Sequence, residues 1–178
     1  MIPQGDLQKT FDRIWSEIRG ARLAGGQARN EASAHSVSLA QHALKLATES
    51  GSDRFLVEAW RMLAITLNAN EQYQEAIMYY RTAIEKLELR GELGLAASMR
   101  IGYVTVLANT ARYREALEAA ELAEAWFGKS RDEHARARLF ISVGVVYARL
   151  NDHAKAAEAY STARETFAII ATASRVLW

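Results

Sequence analysis

Three sets of residues stand forty positions apart without an insertion. They are Tyr73, Tyr113 and His153; Ala76, Ala116 and Ala156; and Ala83, Ala123 and Ala163. Several columns at one period restrict the chain to a tandem array, in which each unit stacks on the next. Within each unit the apolar residues recur at three and four positions, the period of a helix. Only one proline, Pro3, is present, so nothing interrupts long helices after the N-terminus.

The fullest copy runs Phe140-x2-Val143-Gly144-x2-Tyr147-x2-Leu150, then His153-x2-Ala156-x3-Tyr160-x2-Ala163. A small residue on one helix lets the partner helix approach, and rings fill the space beside it. Forty residues upstream stand Tyr103, Val104, Leu107, Tyr113, Ala116 and Ala123. A further forty upstream stand Trp60-x2-Leu63-Ala64-x2-Leu67 and Tyr73-x2-Ala76-x3-Tyr80-x2-Ala83. The middle copy departs most, with Arg100 for the leading aromatic, Val104 for the small residue and Ala120 for the second ring.

This pattern resembles the tetratricopeptide repeat (TPR), written Trp-x2-Leu-Gly-x2-Tyr followed by Ala and an aromatic. The resemblance implies an all-α, TPR-like helical-hairpin solenoid, an αα-superhelix. The period exceeds the usual thirty-four residues. It looks like the long-helix branches of the class, including kinesin light chain repeats and bacterial regulators with similar solenoids.

The expected organisation is a single solenoid domain over 1–178. Residues 4–49 read as a degenerate N-terminal hairpin, broken at Gly25-Gly26, with Leu7, Phe11, Ile14, Trp15 and Ile18 on one face. TPR-like hairpins follow at 53–90, 94–127 and 131–169. Residues 171–178 form a tail that folds back or begins a truncated next helix, with Val176, Leu177 and Trp178 expected to be buried. Ser130-x-x-Glu133 has the form of a capping box for the helix that follows.

The 22 basic and 21 acidic side chains nearly balance, so no broad pull toward nucleic acid or an anionic membrane follows. No apolar run approaches the length of a membrane span, and no secretory leader is expected, which points to a cytoplasmic protein. Cysteine is absent, which excludes disulfides and thiol chemistry. The four histidines have no metal-ligand spacing. Glu115, Glu118, Glu121 and Glu124 line one helix edge as solvated charge rather than a paired acid and base. The glycines lack the context of a phosphate loop. No enzyme activity and no cofactor are expected.

In TPR proteins the first helices line a concave groove. Carried onto this sequence, the resemblance implies a partner-binding groove of Glu58, Arg61, Ile65 and Asn68; Ser98, Ile101, Thr105 and Asn109; and Arg138, Ile141, Val145 and Arg149. Ile65, Ile101, Ile141 and Val145 would form an apolar strip, and the asparagines suit a peptide backbone. The carboxylate clamp of some relatives is incomplete, because Arg61 and Ile65 stand where Lys and Asn would be. The expected function is a protein–protein interaction module that takes a peptide or partner helix in the groove. Two alternatives are a self-assembling solenoid, joined through its C-terminal end as a homo-oligomer, and the interaction domain of a larger regulatory protein. Direct nucleic-acid binding and membrane insertion are not expected.

Overall fold

The computed structural model describes residues 4–21 and 28–176. They form eight α-helices: α1 (Gln4–Ala21), α2 (Ala28–Ser50), α3 (Asp53–Ala69), α4 (Tyr73–Leu89), α5 (Leu93–Asn109), α6 (Tyr113–Ser130), α7 (Glu133–Arg149) and α8 (His153–Val176). There is no strand among the described residues. The fold class is all-α. The chain divides into two compact units, Met1–Ala83 and Ile84–Trp178.

The repeat is finer than forty residues. Left-handed backbone occurs at Gly51, Glu71, Gly91, Ala111, Arg131 and Asn151, one every twenty residues. Four of these sites close the preceding helix with a pair of hydrogen bonds. At the first, Glu71 N–H donates to the Asn68 carbonyl at 3.2 Å and Gln72 N–H to that of Leu67 at 2.9 Å. The same pair recurs at Gly91 and Glu92, at Ala111 and Arg112, and at Asn151 and Asp152. Each satisfies two carbonyls that the end of a helix leaves without partners. From Glu71 onward, the residue four places before the left-handed one is large and apolar: Leu67, Leu87, Leu107, Phe127 and Tyr147. All of these but Tyr147 are fully buried. Every helix from α4 to α8 therefore begins twenty residues after the one before it.

In the first unit, Leu7, Phe11, Ile14 and Ile18 turn the apolar side of α1 inward. Phe11 meets Phe55 of α3 with ring centroids 4.8 Å apart. Ala40, Ala43 and Ala47 let α2 approach α3 closely. Ser33 donates to Asn70 Oδ1 at 2.7 Å, and the Asn70 amide returns a bond to the Ser33 carbonyl at 3.2 Å, tying α2 to the α3–α4 turn.

In the second unit, α5 packs on α6, α7 lies against both, and α8 pairs with α7. The alanine columns behave as the register requires. Ala116 and Ala123, with Ala156 and Ala163, are all buried. Gly94 lies under the Trp126 indole, where an added Cβ would meet Nε1 at 3.2 Å. Arg100, in place of the leading aromatic, is buried and ion-paired with Glu88.

Two expectations are corrected. Ser130 is not the cap of α7. It lies in the last turn of α6, where its hydroxyl donates to the Phe127 carbonyl at 3.4 Å. Arg131 takes the left-handed turn, and Asp132 caps α7 by accepting from Ala135 N–H at 3.0 Å. The twenty-residue step sets this boundary, and the cap falls two residues later than the box motif suggests. Residues 171–176 neither fold back nor open a new helix; they extend α8 to Val176. No glycine or proline occurs after Asp152 to stop it, and alanine favours continuation. The expected break at Gly25-Gly26, and burial of the Val176, Leu177 and Trp178 side chains, lie outside the described residues.

Candidate functional site

The residues expected to line a groove fall in both units, and each unit uses its share differently. In the first unit, Glu58 and Arg61 are engaged with α1. The Trp15 indole N–H donates to Glu58 Oε1. The Arg61 guanidinium lies 4.7 Å from the Trp15 ring centroid and 3.2 Å from Glu58. Such a cation over an indole face is attracted by the ring quadrupole. Arg61 Nε is buried without a hydrogen-bond partner, so the stacking holds this side chain at some polar cost. The sequence placed Trp15 with the apolar face of α1. Its ring is only half-buried, because the N–H needs the carboxylate across the interface. Ile65 and Asn68 are half-buried.

In the second unit, Ser98 is exposed and its hydroxyl donates to the Gly94 carbonyl at 3.0 Å. Ile101 is 6% exposed and belongs to the core rather than to an apolar strip on the surface. The reason is α7. Ser142 of that helix sits 3.2 Å from the Thr105 hydroxyl and 3.5 Å from the Ile101 carbonyl. Asn109 accepts from Arg149 at 2.9 Å. These contacts bring Thr105, Asn109 and Arg149 together as an α5–α7 seam.

On α7, Arg138 is exposed, Ile141 is 44% exposed, Val145 is half-buried and Arg149 is exposed. Among the described residues neither Arg138 nor Arg149 is in an ion pair. This stretch of α7 therefore presents an apolar centre between two cationic ends.

The other candidates behave structurally. His35 lies 3.8 Å from Glu17 on the surface, and His134 meets the Phe167 ring edge-on at 5.5 Å. Glu118 pairs with Arg114, but Glu124 is not merely solvated: it accepts from Arg136 of α7 at 2.8 Å. That ion pair, and the hydrogen bonds between Arg112 and Glu115, hold both guanidiniums above their ordinary pKa. Among the described residues no group of His, Cys, Asp and Glu is arranged to hold a metal ion. No described helix is long and apolar enough to cross a membrane.

No match to a curated protein was found. Among solved structures, that of BtubC (BKLC) from P. vanneervenii is similar at a TM-score of 0.64 and 21% identity, covering 94% of this chain and 75% of that one. That likeness concerns the fold, and it agrees with a TPR-like helical repeat. Residues 26–170 match the family described as soluble NSF attachment protein, SNAP. With most of its length matched, and with helical hairpins throughout that span, this chain belongs to the SNAP family.

Proposed function

We propose that this chain is a non-catalytic protein-interaction module of the cytoplasm, which docks a partner helix or peptide on the exposed faces of its first helices. The family description names attachment to NSF, and we take a protein of that class as the first partner to test. The observation that carries the reading is the outer face of α7, where half-exposed Ile141 lies between Arg138 and Arg149. An isolated exposed isoleucine needs no explanation, but one flanked by uncompensated arginines has the make-up of a small docking surface. Ser98 and Val145 extend that surface within the same unit. Glu58 and Arg61 are reserved for α1, so they contribute less on this reading. We also read the repeat as nearer to the long-helix TPR branches than to the thirty-four-residue form, a reading that the forty-residue period supports.

Binding of the full chain to purified NSF by biolayer interferometry tests the reading. Ile141→Asp should weaken binding at least tenfold, and Asn109→Ala, which releases Arg149, by a smaller factor. Equal binding by wild type and Ile141→Asp would remove α7 from the docking surface.

A further inference from the structure

The α7 helix shows what covers a hairpin in this repeat. It docks on α5 and α6 with two polar anchors. Arg136 reaches Glu124 of α6 at 2.8 Å, and Arg149 reaches Asn109 of α5 at 2.9 Å. Between them Ser142 meets Thr105 and covers Ile101. One period later the same positions lie on α7 and α8. Ile101, 6% exposed, becomes Ile141, 44% exposed; Ala120, 4% exposed, becomes Tyr160, 40% exposed. The receiving residues change in kind as well. Thr105 becomes Val145, Asn109 becomes Arg149, and Glu124 becomes Arg164.

Both anchor receptors have thus become arginines, and the hydroxyl between them has become a methyl-bearing side chain. A helix seated here as α7 sits on α5 and α6 would need carboxylates where α7 carries Arg136 and Arg149. It would need an apolar residue where α7 carries Ser142. At roughly 1.5 Å per residue those two acids stand about 20 Å apart along the helix. A second copy is a poor occupant, because its own α7 would bring arginine to arginine.

We propose that the open α7–α8 face receives an amphipathic α-helix of another protein, with an apolar stripe between two acidic residues about 20 Å apart. The proposal rests on the interaction reading above and specifies its occupant. Two features carry it: continuity of register with the α5–α6–α7 packing, and charge complementarity to Arg149 and Arg164.

The test uses the full chain and two stapled helical peptides spanning residues 131–150. One has the native sequence. The other carries Arg136→Glu, Ser142→Leu and Arg149→Glu. At low salt the acidic peptide should bind at least tenfold tighter by fluorescence anisotropy. An Arg149→Glu/Arg164→Glu protein, shown to be folded by circular dichroism, should reverse that preference. Equal affinity for the two peptides, with loss of both on Ile141→Asp, would overturn the charge rule and leave the docking surface standing. Binding indifferent to Ile141→Asp would overturn the surface as well. Failure of the acidic peptide to bind overturns the proposed occupant. So does a wild-type dimer in sedimentation that Ile141→Asp dissolves, since a second copy would then hold the face.

Discussion

The Tyr160 ring lies so close over Gly144 that a Cβ on that glycine would fall 2.5 Å from Cε1, 2.7 Å from Cδ1 and 2.8 Å from Cζ. The pair explains the irregular middle copy of the repeat. Where the last hairpin has Gly144 and Tyr160 and the first clear one has Ala64 and Tyr80, the middle one has Val104 and Ala120. Bulk moves from one helix to the other, and both Val104 and Ala120 are buried. The exchange is partial, since Val104 with Ala120 is smaller than Ala64 with Tyr80, but it runs in the compensating direction that packed cores tolerate.

Gly144→Ala should destabilise the protein by about 1–2 kcal/mol, the cost of overpacking less the gain in helix propensity. In a Tyr160→Ala background the sign should reverse. There Ala at 144 should stabilise by about 0.5–1 kcal/mol, because only propensity remains. Urea denaturation of the four proteins measures both values. An additive cycle would mean that the ring swings aside without cost.

Ala111 adopts φ 57°, in the turn series where Gly91 adopts φ 72°. A Cβ at Gly91 would meet nothing within 4 Å, so only the backbone distinguishes the two sites. Ala111→Gly should therefore stabilise by about 0.5–1 kcal/mol, and Gly91→Ala should destabilise by about 1–2 kcal/mol. Chemical denaturation midpoints at unchanged slope check both signs.

Arg100 buries a guanidinium where other copies place Trp60 or Phe140, and Glu88 compensates it. Glu88→Ala should cost about 1–2 kcal/mol, below the usual range for a buried pair because the glutamate is partly solvated. Replacing both partners, as Arg100→Phe with Glu88→Ala, should recover most of that loss. Thermal melts of the single and double variants decide whether the pair or the burial governs stability.

Asp152 caps α8 and accepts from Lys155 N–H at 3.1 Å. That backbone bond, followed by the Lys155 ammonium, holds its carboxyl below the ordinary carboxylate range. The folded pKa is depressed, so the contribution is present above the ordinary value of about 3.9 and is lost as pH falls through the lower folded value. Asp152→Asn should keep a neutral cap and flatten the melting temperature between pH 5 and 2, as scanning calorimetry would show. Identical acid profiles for the two proteins would discount the charge of this cap.

The repeat, the all-helical class and the inward alanine columns could be read from the chain alone. Each depends on local spacing: a small residue every forty positions marks a close approach whatever lies opposite. The twenty-residue step was also written there, in Leu67, Leu87, Leu107 and Phe127, but only Gly51, Gly91 and the Asn151-Asp152 corner announce the turns. Glu71 and Ala111 are held left-handed by the hydrogen bonds around them, not by their own preference. Tertiary structure alone decided which of two like residues is covered. Ile101 and Ile141 share one register position and one side chain, yet α7 buries the first and no described helix covers the second in that way. It likewise assigned Glu58 and Arg61 to Trp15, with a separation of forty-three residues of sequence between Trp15 and Glu58. Periodicity gives the face on which a residue lies, but burial and pairing depend on the neighbour that arrives there, and that neighbour comes from elsewhere in the chain.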